Sequence, residues 1–365
     1  MKNFVYNGLP ARVIFGAGTL STLAGVVSDL GCRRALLLST AVQSEQLHPL
    51  RQLLGPAAVG AFTEAAMHTP VEVSERAVFM ARAVQADCVI ALGGGSTIGL
   101  AKAIALRTDL PQIVVPTTYA GSEMTPILGQ TEGGRKTTQR TLKVLPEAVI
   151  YDVDLTLSLP PAISATSGLN AIAHAVEGLY AKDGNPIVSL MAEEGIRALA
   201  HALPGVIDDP GNRSARSDAL YGAWLCGAVL GTAGMALHHK LCHTLGGSFD
   251  LPHAETHSVI LPHATHYNAA AAPEAMDRLA RALRVTGDPA GALFDLGARL
   301  GAPSSLRALG LSESSLPRAA DLAAENPYWN PRPVERDAIL ALLRAAWSGE
   351  RPAGDHGPHY AGRPA

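Results

Sequence analysis

The sequence predicts two structural units. The first is an α/β N-terminal domain with a doubly wound, mostly parallel sheet, and the second is an all-α C-terminal domain. Three observations carry this expectation. The chain of 365 residues is too long for one ordinary hydrophobic core. Its first 155 residues alternate short runs rich in Val, Ile and Leu with helical patterns, the signature of strands alternating with crossover helices. From SLPPAISATSGLN (158–170) onward the composition shifts to Ala and Leu at helical spacing, almost without β-branched runs. The expected boundaries are 1–157 for the α/β domain and 158–350 for the helical one. Residues 351–365 follow as a loose tail, inside the Gly/Pro-rich stretch GERPAGDHGPHYAGRPA (349–365).

The strands come first. RALLLST (34–40), DCVIALGGGS (87–96), QIVVPTT (112–118) and EAVIYDVDL (147–155) each end in small polar or acidic residues or in glycine. Continuous apolar runs of that length suit parallel strands buried on both faces. VEVSERAVFMARAVQA (71–86) and TIGLAKAIALRT (97–108) read as the helices between them. In the second unit MAEEGIRALAHALPGVI (191–207), SDALYGAWLCGAVLGTAGMALHHKLCHTLGG (217–247) and PEAMDRLARALRV (273–285) read as helices, with Gly246 and Gly247 able to end the second.

Bulk properties narrow the function. A formal net charge of −3 gives no reason to expect a nucleic-acid or membrane partner. Cys32, Cys88, Cys226 and Cys242 are far apart and form no CxxC, so all are read as reduced, which fits a cytoplasmic protein. The start MKNFVYNGLP lacks the apolar core of a signal peptide. Apolar stretches are interrupted too early for a membrane helix.

Two features point to chemistry. IALGGGSTIGLAKAIAL places three glycines between a strand and a helix. Glycine lets a backbone approach a phosphate, and a helix N-terminus offers unpaired N–H groups. The pattern is neither GxGxxG nor a P-loop, and a tight strand-to-helix turn is the plain alternative. PTTYAGSEMT (116–125) follows the next strand and forms a second wall of the same crevice, where ligands of open α/β sheets bind.

The second feature is histidine. Residues 238–266 hold seven of the thirteen in the chain. Asn170 and His174 share one helix face, as do His239 and His243 on a second helix. His253 follows Pro252 in a loop able to fold back. Three imidazoles and a fourth group make a transition-metal constellation. His238 is expected on another face, outside the pocket, and His257, His263 and His266 as packing or supporting residues. His48, His68, His201, His356 and His359 read as isolated surface or core residues.

These residues together resemble the iron-containing (group III) alcohol dehydrogenases. The resemblance rests on GGGS, PTT…GSE, H-A-x-E-G, H-x-x-x-H-x-L-G, the following P-H and NPYWNPRPV (326–334). It runs in order over essentially the whole chain. It implies the dehydroquinate synthase-like fold, with NAD(P) and substrate in the cleft between the two domains. By the same resemblance Gly93, Gly94, Gly95 and Ser96 hold the pyrophosphate, and Thr117, Thr118 and Lys136 contact the cofactor. Thr40 stands where NAD-selective relatives often carry an acid; as it cannot repel a 2′-phosphate, NADPH is expected beside NADH.

The departures narrow it further. The family usually has Asp where Asn170 stands, GGGSxxD where this chain has Gly99, and PTTAGTGSE where it has PTTYAGSE. Together they resemble the maleylacetate reductase branch, which implies reduction of an enone carrying two carboxylates, a cytoplasmic homodimer and a small-molecule partner. His243 is the expected proton donor, with His174, His239 and His253 lining the pocket. A metal, if bound, falls to His174, His239 and His253, with Asn170 as the altered fourth position. Loss of the carboxylate weakens that site, so an essential ion is not expected. Without an ion, these imidazoles are expected to become cationic and attract a dianionic substrate. Lys102, Lys240 and Arg332 are basic candidates for the substrate carboxylates. The alternatives are a metal-dependent alcohol or polyol dehydrogenase of the same fold, a dehydroquinate-synthase-like lyase and a non-catalytic binding module.

Overall fold

The computed structural model describes residues 3–352. The tail expected over 351–365 falls outside them except for its first two residues, and so does the side chain of Lys136.

Among the described residues there are eight strands: β1 (Arg12–Gly16), β2 (Ala35–Leu38), β3 (Ala58–Phe62), β4 (Cys88–Gly93), β5 (Gln112–Pro116), β6 (Ile127–Glu132), β7 (Arg135–Arg140) and β8 (Ala148–Asp152). Six form one sheet in the order β1-β8-β5-β4-β2-β3, with every pairing parallel. Among them run α1 (Leu23–Asp29), α2 (His48–Leu54), α3 (Val71–Ala83) and α4 (Gly95–Thr108).

Alternation along the strands feeds two cores. Leu37, Ile90, Leu92 and Ile113 pack with Leu23, Leu47 and Leu50 on one face. Leu36, Val89, Ala91 and Val114 pack with Ala77, Val78, Leu100 and Ile104 on the other. Burial on both faces explains why these runs lack polar alternation.

The remainder is helical: α5 (Pro161–Leu179), α6 (Pro186–Asp208), α7 (Arg213–Thr232), α8 (Leu237–Phe249), α9 (His253–Asn268), α10 (Pro273–Leu283), α11 (Pro289–Arg299), α12 (Leu316–Ala324) and α13 (Arg336–Ser348). Tyr151 and Val153 at the end of the sheet share a core with Leu169, Ile172 and Val176 of α5, which joins the two parts.

Three sequence expectations change. The stretch 217–247 is two helices, α7 and α8, that meet at 93°. The glycines at 246 and 247 lie inside α8, which ends at Asp250 in a left-handed conformation (φ 54). His253 is the first residue of α9, not part of a loop. β1, β3 and the antiparallel β6–β7 hairpin were not expected from the apolar pattern.

All four cysteines are free and buried. Among the described residues no single helix is long and apolar enough to cross a membrane.

Candidate active site

The first wall is built at the carboxyl ends of β2, β4 and β5. Gly93 ends β4 and Gly95 opens α4, whose N-terminus has no side-chain cap. A side chain at Gly93 has no room: its Cβ would lie 2.6 Å from Thr97 Oγ1 and 2.9 Å from Gln43 Oε1. At Gly94 it would lie 2.9 Å from Thr118 Cγ2. Gly95 differs, because no other part of the protein lies within 4 Å of that point. Nothing in the fold demands glycine there, and the open space leaves the helix end accessible to a ligand.

Thr40 Oγ1 donates to Gln43 Oε1 (3.3 Å), and Gln43 Nε2 donates to Thr117 Oγ1 (3.0 Å). The structure thus brings Thr40, Gly93, Gly94, Thr117 and Thr118 to one crevice, with Gly95 and Ser96 at its helix end. Gln43 is the link between them. It escaped the sequence reading because it lies in a short helical turn (Ala41–Leu47) without a motif.

The loop after β5 connects this wall to the histidines. Gly121 adopts φ 76, and a Cβ there would come within 2.9 Å of Gly227 Cα on α7 and 3.5 Å of His174 Nδ1. That close passage requires glycine on both counts.

The histidines gather from three helices. Ring centroids lie 5.1 Å apart for His174–His239, 6.0 Å for His239–His243, 5.0 Å for His239–His257 and 4.2 Å for His253–His257. His174, His239 and His257 are buried, whereas His243 and His253 face a cleft of about 230 Å³. A larger surface cavity, about 430 Å³, lies between α9 and α13; it holds Arg332 but none of the expected catalytic or cofactor-binding residues.

Two members of this cluster were read differently from sequence. His257 stands one turn after His253 on α9 and touches the rings of His238, His239 and His253. His238 does not line the cleft, yet it closes the cluster from beneath. Its Nε2 donates to the His257 carbonyl at 3.0 Å, and its Nδ1 lies 3.4 Å from Nδ1 of His239. Among the described residues, the three histidines whose ring nitrogens can all lie within 4.8 Å of one another are His238, His239 and His257.

Glu177 organises the floor. Fully buried on α5, it accepts from the backbone N–H of Ala236 and of His238 and from His239 Nδ1, each at 2.7 Å. Burial alone would raise its pKa, but the His239 hydrogen bond and neighbouring imidazoles hold it below the usual carboxylate value. It therefore acts as an acceptor only.

The inner imidazoles behave in the opposite way. Burial first, then the neighbouring imidazole His239, pushes the pKa of His174 well below 6.5. Burial and His253 do the same to His257. With no ion present His174 stays neutral, so the expectation of a cationic His174 fails for lack of solvation.

Several buried polar atoms lack a protein partner: Asn170 Oδ1, His174 Nδ1, His239 Nε2 and both ring nitrogens of His257. An amide oxygen and several ring nitrogens left without a protein partner in one buried place fit a cation or ordered water. The donor set is all nitrogen and neutral oxygen, a fit for a borderline-soft divalent ion and a weak one without a carboxylate.

Tyr328 supplies the rim. Its hydroxyl lies 3.0 Å from His243 Nδ1. The segment that carries it is anchored by Asn330, which exchanges hydrogen bonds with Asn268 (2.9 and 2.7 Å). The three basic candidates are already engaged. Lys102 is buried and donates to the carbonyls of Ser122, Thr125 and Ile127. Arg332 stacks on Tyr267, 4.0 Å from the ring centroid. Lys240 Nζ donates to the Glu325 carbonyl.

A parallel-sheet crevice joined by the Gly121 loop to a buried histidine cluster is the two-part plan the resemblance implies. The family model "Iron-containing alcohol dehydrogenase" matches residues 10–153, and "Fe-containing alcohol dehydrogenase family, C-terminal" matches 164–347. The chain belongs to the iron-containing alcohol dehydrogenase family. It is 60% identical to maleylacetate reductase from a Rhizobium species over 353 residues, covering 96% of this chain and all of that one. The crystal structure of maleylacetate reductase from Agrobacterium tumefaciens superimposes with a TM-score of 0.94 at 60% identity, covering 96% of this chain and all of that one. A putative alcohol dehydrogenase from Ralstonia eutropha gives 0.96 at 57%, covering 97% and 100%.

Proposed function

We propose that this chain reduces maleylacetate to 3-oxoadipate with NADH or NADPH. It is a nicotinamide-dependent oxidoreductase, and the observation that carries the substrate is 60% identity over almost the full length to a maleylacetate reductase. Asn170 at the family's acidic position supports this reading over the metal-dependent alcohol dehydrogenases.

The chemistry asks little of the protein. Bound nicotinamide supplies a hydride. That hydride adds to the alkene carbon distal to the ketone, and the electron pair moves onto the ketone oxygen as an enolate. A proton on the adjacent carbon completes the product. Gly93, Gly94, Gly95 and Ser96 seat the pyrophosphate at the N-terminus of α4, with Thr40, Thr117, Thr118 and Lys136 along the cofactor. Thr40 carries no charge against a 2′-phosphate, so both cofactors serve.

His243 is the proton donor. As the imidazolium it donates from Nδ1 to the Tyr328 hydroxyl, 3.0 Å away, and passes its Nε2 proton to substrate, which leaves a neutral ring. His253 shares the cleft with His243 and helps to position the enolate oxygen, while His174 and His239 stand buried behind them. A divalent ion would be held by His174, His239 and His253 beside Asn170, and would supply Lewis-acid polarisation of the ketone; it is not essential.

The test is single-turnover reduction of maleylacetate followed at the NADH absorbance, with wild type and His243→Ala in metal-depleted protein. Wild type should react and the variant should lose at least about a hundredfold in rate. Near-equal rates refute the donor role; a wild type inactive both metal-depleted and with Zn²⁺ restored refutes the substrate.

A further inference from the structure

We propose that the turn at His68–Thr69 is a specificity element, in which His68 donates a hydrogen bond to a carboxylate of the substrate and Gly99 makes room for the turn. The proposal rests on the reading of the substrate as an unsaturated oxo diacid.

The turn lies between β3 and α3 and is strained. His68 has φ 63 and Thr69 φ 47, two consecutive non-glycine residues in the left-handed region, the second β-branched. Such a conformation is costly and persists only where the surroundings enforce it. Thr69 N donates to the Ala66 carbonyl and Thr131 N to the Thr69 carbonyl, both at 3.3 Å. Pro70 bridges to Thr131 on the hairpin.

The other restraint is α4. Thr69 is buried, and its Oγ1 occupies the space that a Cβ at Gly99 would need. A side chain at position 99 and the Thr69 hydroxyl in its present place exclude one another. Position 99 is where the family's GGGSxxD motif carries its acid, and glycine there leaves the space that the Thr69 hydroxyl takes.

The consequence is the placement of His68. From sequence it reads as an isolated surface or core histidine. It is exposed, but into the cleft of about 230 Å³ that His243 and His253 line from α8 and α9. Thr131 and Gly134 of the hairpin complete that wall, and Asp250 is the acid among the lining residues. A planar diacid bound over His243 therefore meets an imidazole on the opposite wall. Lys102, Lys240 and Arg332 are all turned to other partners, so none of them takes this role in the described structure.

Steady-state kinetics on the full-length enzyme test it. His68→Ala should raise KM for maleylacetate about tenfold, change kcat by less than about twofold, and leave KM for NADH unaltered. His68→Gln, which keeps a donor, should recover part of the loss. Gly99→Ala should displace the turn and raise KM similarly, and the double variant should be no worse than either single one. Unchanged kcat/KM in His68→Ala overturns the contact, and additive effects overturn the link to Gly99. Wild type that leaves maleylacetate untouched overturns the substrate reading itself, a result distinct from an active wild type with a silent His68→Ala.

Discussion

Oε2 of Glu177 lies 2.7 Å from Nδ1 of His239, and both residues are buried. Because the carboxylate accepts only, Nδ1 must carry the proton. Nε2 then presents a lone pair to the cluster, where it has no protein partner. Glu177 fixes a tautomer, as carboxylates behind metal-binding or catalytic imidazoles do. Glu177→Gln should lower kcat by about 10- to 100-fold while the protein stays folded. ¹⁵N resonances of His239 should shift from the Nδ1–H pattern to a mixed one. Unaltered kcat together with an unaltered tautomer would sink the assignment.

Tyr328 tests the outer side of the same machinery. Burial, and then Glu177, raises its pKa above 10, so the hydroxyl stays protonated at working pH. Tyr328→Phe should reduce kcat about tenfold with little change in KM for NADH. The side chain is 39% exposed, so the melting temperature should hold. A variant with wild-type kcat removes Tyr328 from the proton path.

Asn170 decides how the cluster treats a cation. Asn170→Asp restores an anionic ligand beside His174 and should tighten Zn²⁺ binding at least about tenfold in equilibrium dialysis. The same change buries a carboxylate, so the metal-free variant should lose on the order of 2 kcal/mol of stability. Added Zn²⁺ should restore it through linkage. Equal affinity in both proteins would place the ion elsewhere.

Arg216 tests the junction rather than the site. Fully buried, it donates to the carbonyls of Pro210 (3.1 Å) and Leu159 (2.9 Å), to Ser164 Oγ (2.8 Å) and to Tyr119 OH (3.3 Å). No carboxylate pairs with it among the described residues. It ties α7 to the start of α5 and to the loop after β5. Arg216→Ala leaves those acceptors unsatisfied around a cavity and should cost about 3 kcal/mol in denaturant unfolding. A loss below about 1 kcal/mol would show that water replaces the guanidinium.

Legibility in the sequence followed burial. β2, β4, β5 and β8 are buried throughout and read as continuous apolar runs. β1 and β3 are the sheet edges and half-exposed, and β7 reads RKTTQR, so apolar pattern misses all three. The hairpin did carry a signal, the pair Gly133–Gly134 with φ 53 and 76. Histidines four apart on helices could be grouped from spacing alone. His257 could not, because its turn relation to His253 appears only once α9 is known to begin at His253. Glu177 stood in the quoted H-A-x-E-G, but its role depends on where α8 begins. His68 has no local signal at all, since a backbone conformation set by Thr69 against Gly99 places it.

His263 gives the enzyme a specific acid sensitivity. It is buried on α9, with its ring 6.4 Å from Phe294 and its Nε2 unpartnered. Burial, then His266, lowers its pKa from 6.5 to about 4. In the unfolded chain the same ring titrates near its ordinary value. Between pH 6.5 and about 4 the unfolded state therefore binds more protons, so stability rises with pH across that window. The contribution is complete above 6.5 and is lost as the pH falls toward 4. Its size is on the order of 2–3 kcal/mol. His263→Leu removes this group from the titration. The wild-type minus variant difference in unfolding free energy should then fall by that amount from pH 7 to pH 4. A difference constant across the range would mean that His263 charges in the folded protein as readily as in the unfolded chain.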